Sequence, residues 1–99
     1  MKILFYDAKP YDRASFDAYL PDYPSITLDY IDADLSPETA RLAEGYGAIC
    51  AFVNANLSRA VLSVLGRVGV RLILLRCAGF NQVDLAAAGQ LGLTVMLVP

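Results

Sequence analysis

The 99-residue sequence predicts an α/β domain built around a parallel β-sheet. Three observations lead to this prediction: short apolar segments alternate with segments of helical character, the third and fourth apolar segments are strongly hydrophobic, and the second is partly polar. Such alternation produces parallel strands joined by right-handed crossovers, with helices on both faces of the sheet.

Five strands are predicted. Residues 2–6 form a short apolar and aromatic run, and residues 26–31 alternate apolar with polar side chains, which is typical of an edge strand. The other three predicted strands cover residues 48–53, 70–75 and 93–98. An edge-like second strand and central third and fourth strands favour a three-layer, flavodoxin-like domain with strand order 2-1-3-4-5, in which strands one and three meet at the ligand-binding crevice.

The first helix is predicted to follow a loop at residues 7–11, which contains a proline, and to be capped by Asp12. Its apolar side chains are predicted to be Phe16, Tyr19 and Leu20.

The second helix is predicted from Ser36 and Pro37, because serine can cap a helix and proline fits its first position. Leu35 is predicted to pack on Ala40 as a hydrophobic staple, and the helix to end near residues 45–47.

The third helix is predicted to begin at Leu57 and Ser58, and its wide apolar stripe predicts deep burial. The stripe consists of Val61, Leu62, Val64, Leu65 and Val68. Asn81 is predicted to cap the fourth helix, with Asp84 beside the positive end of the helix dipole.

Composition excludes several classes of protein. The 8 basic and 10 acidic residues form no basic stripe, so nucleic acid is not an expected partner. No apolar run approaches the roughly 18 residues of a membrane span, and the first apolar stretch is too short for a signal peptide. A soluble cytoplasmic protein that does not bind membranes is therefore expected.

The two cysteines have no metal-binding spacing, and the chain has no histidine, so no metal site is predicted. Cys50 lies in an apolar strand and is expected in the core, whereas Cys77 lies in a turn.

Gly45 and Gly47 begin like a dinucleotide-binding fingerprint. That fingerprint requires its glycines between a strand and a following helix, whereas these glycines follow a helix and precede a strand. No nucleotide site is predicted here.

Residues 72–84, reading LILLRCAGFNQVD, have the organisation of a strand, a loop and a helix start. The loops at residues 7–11, 52–56 and 76–80 should meet at the carboxyl edge of the sheet, where ligands of open α/β folds bind. The backbone N–H groups of Ala78 and Gly79 suit a small carboxylate, and Phe52 could supply an apolar wall. Polar groups expected nearby are Lys9, Tyr11, Asn54 and Arg76. The alternative interpretation, that these are ordinary turn residues of a stable domain, is equally open.

Residues 74–85, which read LLRCAGFNQVDL, resemble the amino-terminal domain of the D-isomer-specific 2-hydroxyacid dehydrogenases. The D-lactate dehydrogenase branch typically reads LRxAGFNxVDL, followed by G-apolar-x-V and then VP; residues 92–95 and 98–99 match those later motifs. Residues 9–12 with Phe16, and residues 51–54, match the same branch.

The resemblance implies a flavodoxin-like substrate domain that faces a Rossmann domain and closes with it over NAD and a 2-keto acid. By position, Ala78 and Gly79 would hold the substrate carboxylate, and Phe52 would contact the substrate side chain. Arg76 and Cys77 would lie in the loop that lines the cleft.

The family's nucleotide fingerprint and histidine acid/base have no counterpart among these residues. The resemblance therefore implies a single substrate domain at residues 1–99 without the Rossmann domain. This chain is expected to be a fragment that is inactive alone and binds no cofactor, NAD being the cofactor of the full-length family.

Two other classes of function are open to different degrees. A stand-alone flavodoxin-like module would self-associate through exposed apolar surface, as a dimer or other homo-oligomer. A receiver-like signalling domain is disfavoured because the chain offers Asp7, Asn54 and Pro99 where that class needs paired acids, an aspartate and a lysine. The preferred 2-keto acid does not follow from one wall residue, Phe52.

Overall fold

The computed structural model of the chain describes residues 1–52, 55–76 and 83–97. Its strands are β1 (Lys2–Phe5), β2 (Thr27–Tyr30), β3 (Ala48–Phe52), β4 (Leu72–Arg76) and β5 (Thr94–Leu97). Its α-helices are α1 (Pro10–Asp17), α2 (Arg59–Arg67) and α3 (Leu85–Gln90). Short 3₁₀ helices cover Leu20–Asp22 and Thr39–Ala43. In the part of the chain that the structure describes, no helix is long and apolar enough to cross a membrane.

The sheet confirms the predicted fold class and strand order. All paired strands are parallel, and their order is β2-β1-β3-β4-β5. β1 and β3 are adjacent although β2 lies between them in the sequence, so the strand order reverses there as predicted.

Alternate side chains of each strand enter two separate cores, because successive side chains point to opposite faces of a sheet. On one face, Ile49 and Ile73 pack in a cluster with Val61, Leu62 and Leu65 of α2, all of them buried. On the other face, Phe16 of α1 packs against a second core. The second core consists of Ile3, Phe5, Ala8, Ala48 and Cys50. Helices therefore cover both faces, and Cys50 is in the core as predicted.

The start of α1 differs from the prediction. The helix begins at Pro10 with Lys9 as the N-cap residue, and Asp12 lies in the first turn instead of capping it. Proline is well suited to the first helical position, since its missing N–H would have no partner there. The helix ends at Asp17, so Tyr19 and Leu20 lie beyond it.

The second predicted α-helix is a 3₁₀ helix at Thr39–Ala43. The Ser36 hydroxyl accepts a hydrogen bond from the Thr39 N–H, while the Thr39 hydroxyl donates to the Asp34 carbonyl. Such local side-chain bonds compete with α-helical geometry, which gives a physical reason for the difference. Leu35 and Ala40 are both buried in the same cluster, consistent with the predicted staple.

The start of α3 also differs. Asp84, and not Asn81, is the N-cap residue, because its carboxylate accepts a hydrogen bond from the Ala87 N–H over 3.0 Å. A carboxylate satisfies a first-turn N–H and interacts favourably with the helix dipole. Asn81 itself lies outside the described residues.

Candidate functional site at the carboxyl edge of the sheet

The strands β1, β3 and β4 are neighbours and end at Phe5, Phe52 and Arg76. Because they are parallel, their carboxyl ends lie at the same edge of the sheet. A cleft of about 430 Å³ opens at this edge. Its lining consists of Tyr6, Asp7, Asp34, Leu35, Ala51, Phe52, Ala55 and Asn56.

Two of the residues that line the cleft, Asp7 and Asp34, are acidic. Asp7 has a φ of 55°, in the left-handed region that a non-glycine residue seldom adopts. Its carboxylate accepts a hydrogen bond from the ammonium group of Lys9 over 2.7 Å, and this bond raises the pKa of Lys9. The charge of the Asp7 carboxylate is therefore offset by the ammonium group of Lys9.

Tyr6 lines the same cleft but is buried, and its hydroxyl donates a hydrogen bond to the Thr39 carbonyl over 2.7 Å. Burial, with a smaller contribution from Tyr46, raises the pKa of Tyr6 to about 12. The phenol is therefore neutral at physiological pH, and its proton is already donated to the backbone. We assign it a structural role.

Phe52 lies between the cleft and the aromatic core under α1. Its ring centroid lies 5.4 Å from that of Phe5, which in turn lies 5.3 Å from that of Phe16. Phe52 is partly exposed and lines the cleft, and its role as an apolar wall of a ligand site stays a prediction.

Arg76 is held by a buried carboxylate. Its Nη1 lies 3.1 Å from Oδ1 of Asp12, whose side chain is only 2% exposed. The other carboxylate oxygen of Asp12 accepts a hydrogen bond from the backbone N–H of Lys9 over 3.0 Å. The guanidinium carbon lies 5.3 Å from the centroid of the Phe16 ring and 5.5 Å from that of Phe52. The structure thus places two of the predicted site residues, Phe52 and Arg76, side by side.

The other residues predicted for the site are not shown to contact Phe52 or Arg76. Ala78, Gly79, Cys77 and Asn54 lie outside the described residues, so the predicted carboxylate-binding loop stays a prediction. Tyr11 lies on α1 and is largely exposed, and Lys9 pairs with Asp7.

Sequence reasoning did not assign Asp12 or Asp34 to this edge. A signal for Asp12 exists in the sequence, because an arginine at the end of an apolar strand needs a carboxylate partner if it is partly buried. No group of three potential metal ligands occurs among the residues that the structure describes.

Residues 3–99 match the family described as D-isomer specific 2-hydroxyacid dehydrogenase, catalytic domain. The chain therefore belongs to the D-isomer-specific 2-hydroxyacid dehydrogenase family, as its sequence motifs predict.

Individual proteins similar to this chain are also dehydrogenases of this kind. A 2-hydroxyacid dehydrogenase homolog of Haemophilus influenzae is 46% identical over 99 residues, and the D-lactate dehydrogenase of Escherichia coli is 44% identical; the match covers all of this chain and 30% of each relative. The apo-structure of the Escherichia coli D-lactate dehydrogenase is similar to this fold with a TM-score of 0.94, over all of this chain and 31% of that one. The chain thus spans about 30% of the length of these curated relatives.

Proposed function

We propose that this chain is the substrate-binding domain of an NAD-dependent D-2-hydroxyacid dehydrogenase of the D-lactate type, which reduces 2-keto acids. The observation that carries the proposal is the family match over residues 3–99. The 44% identity to a D-lactate dehydrogenase supports the D-lactate branch.

The residues of the chain would bind and orient the substrate. In this proposal, the backbone N–H groups of Ala78 and Gly79 hold the carboxylate, and Phe52 contacts the substrate side chain. Arg76 and Cys77 would lie in the loop that lines the cleft.

Reduction of a 2-keto acid requires a hydride at the carbonyl carbon and a proton at the carbonyl oxygen. NAD supplies the hydride when it is bound in its reduced form. Gly45 and Gly47 precede β3 at the amino edge of the sheet, opposite the cleft, which supports a nucleotide site outside these residues. The chain contains no histidine for the proton. We therefore propose that residues 1–99 form one domain that binds no NAD and is inactive alone, and that the other groups come from a longer cytoplasmic polypeptide.

The proposal is tested in two measurements. NADH fluorescence titrated with the 99-residue chain should show no saturable quenching. The chain expressed with the continuation of its reading frame should oxidise NADH when pyruvate is added and should form the D isomer of lactate. Saturable NADH binding by the 99 residues would contradict the assignment of the cofactor site, and an extended protein inactive on pyruvate and on larger 2-keto acids would contradict the function.

A second candidate function is self-association of the chain as a stand-alone module, and one surface favours it. A groove of about 320 Å³ lies between the second core and the segment from α1 to β2, and only apolar or aromatic residues and Cys50 line it. Leu74, which lines the groove, is paired in register with Met96 of the edge strand β5, and Met96 is 52% exposed. An apolar surface of this kind favours contact with a second copy.

Self-association predicts that the 99-residue chain sediments as a dimer or larger species. Met96→Lys should shift it towards the monomer, since a charge would have to be buried in the contact. Leu85→Lys is the matched control, because Leu85 is similarly exposed, at 50%, on α3. A monomer at high protein concentration would contradict this second candidate.

A further inference from the structure

Among the residues that the structure describes, Asp12 is the one charged residue that is buried. Burying a carboxylate is costly unless both of its oxygens are satisfied. Here one oxygen accepts from the Lys9 N–H and the other from Arg76. The carboxylate therefore joins the first turn of α1 to the end of β4, two segments 64 residues apart.

The guanidinium of Arg76 also contacts two aromatic rings. The group lies near the rings of Phe16 and Phe52, at 5.3 Å and 5.5 Å from their centroids. Phe52 is also the register partner of Arg76 across β3 and β4. A planar guanidinium that is fixed by a carboxylate restricts the positions of the aromatic rings beside it. The flexible ammonium group of a lysine would restrict them less.

We propose that Asp12 and Arg76 are positioning residues of the substrate site, which set the orientation of the Phe52 ring at the cleft. This inference rests on the proposed function, in which Phe52 contacts the substrate side chain. Because the Arg76 charge is paired with Asp12, the pair acts through Phe52 and does not itself hold the substrate carboxylate. Its effect is therefore on substrate affinity and on selection among 2-keto acids of different size.

Arg76→Lys in the extended dehydrogenase is the principal test, since lysine retains the charge but loses the planar contact with both rings. The KM for pyruvate should rise about five- to tenfold, with a smaller change in kcat. The ratio of kcat/KM for pyruvate to that for a branched 2-keto acid should also change, because the Phe52 ring is no longer held in one position.

Arg13→Lys is the matched control. Arg13 also pairs with a carboxylate, that of Asp32 at 3.2 Å, and its guanidinium carbon lies 5.3 Å from the centroid of the Tyr30 ring. Both partners of that pair are substantially exposed. The control should leave both kinetic constants within about twofold of the wild type, since exposed pairs contribute little.

Two further variants separate positioning from folding. Asp12→Asn keeps an acceptor for the Lys9 N–H but removes the charge, and it should change the substrate ratio in the same direction as Arg76→Lys. In a Phe52→Leu background, Arg76→Lys should no longer change the ratio, because the ring through which it acts is absent.

The outcomes are distinguishable. A wild-type enzyme that is inactive on all 2-keto acids would overturn the proposed function and this role with it. An active wild type in which Arg76→Lys lowers kcat/KM equally for all substrates would overturn the positioning role alone, since a merely structural loss does not change selectivity. An unchanged effect of Arg76→Lys in the Phe52→Leu background would overturn it as well.

Discussion

The hydroxyl of Tyr6 donates a hydrogen bond to the backbone carbonyl of Thr39 over 2.7 Å. This bond joins the end of β1 to the 3₁₀ helix at Thr39–Ala43, on the side of the sheet where α2 packs. The segment between β2 and β3 is therefore attached to the sheet through a side chain as well as through apolar contacts.

Tyr6→Phe should lower the free energy of unfolding by about 1 kcal/mol, because the Thr39 carbonyl loses its donor in a partly buried place. Urea unfolding of the purified chain measures the change. Tyr19→Phe, at an exposed position, should be neutral within error. Equal effects of the two substitutions would show that the hydrogen bond contributes nothing.

Alkaline pH should destabilise the chain. The pKa of Tyr6 is raised from 10.0 to about 12, mainly by burial, so the folded state favours the neutral phenol. The corresponding stabilisation is complete below pH 10.0 and is lost as the pH rises through about 12. The urea midpoint should fall across this range, and it should fall less in Tyr6→Phe. A midpoint independent of pH in the wild type would contradict the prediction.

The thiol of Cys50 should be unreactive in the native chain. The residue is buried, and burial raises the pKa of its thiol from 9.0 to about 12, so the reactive thiolate is scarce near neutral pH. A Cys77→Ser variant leaves Cys50 as the remaining cysteine. Its modification by a thiol reagent should be slow in buffer and fast in urea. Rapid modification in buffer would show that the second core opens readily.

Asp84→Ala should lower the free energy of unfolding by about 1 kcal/mol, since the Ala87 N–H at the start of α3 loses its acceptor. Asp84→Asn is the matched control, because asparagine caps about as well as aspartate. The urea midpoints of the two variants should therefore differ clearly. A similar loss in both would indicate that the charge of Asp84, and not its capping bond, matters.

Leu65→Ala should lower the free energy of unfolding by about 2–5 kcal/mol, because it leaves a cavity in a fully buried cluster. That is a large part of the roughly 5–15 kcal/mol typical of a whole domain. Leu42→Ala, at an exposed position, is the control and should change stability by less than about 0.5 kcal/mol. A small effect at Leu65 would mean that α2 is loosely packed.

The amino-acid sequence is sufficient to predict the class of the fold, the strand order and the burial of Cys50. Of the predicted apolar stripe, Val61, Leu62 and Leu65 are buried, whereas Val64 and Val68 are only partly buried. These features follow from local periodicity, since alternating apolar segments and wide apolar helix faces constrain which surfaces must be buried. The family motif at residues 74–85 was also readable without a structure, because its residues are contiguous.

Tertiary structure decided what depends on contacts between distant residues. Only the folded chain shows that Asp12, predicted as a helix cap, is the buried partner of Arg76. It also shows that Thr39 forms a hydrogen bond with Ser36 that favours a 3₁₀ helix. A capping pattern in the sequence identifies a helix terminus. It does not identify the side chain, 64 residues away in the sequence, with which the carboxylate will pair. That choice is made by the order of parallel strands, which brings the ends of β1, β3 and β4 together at one edge.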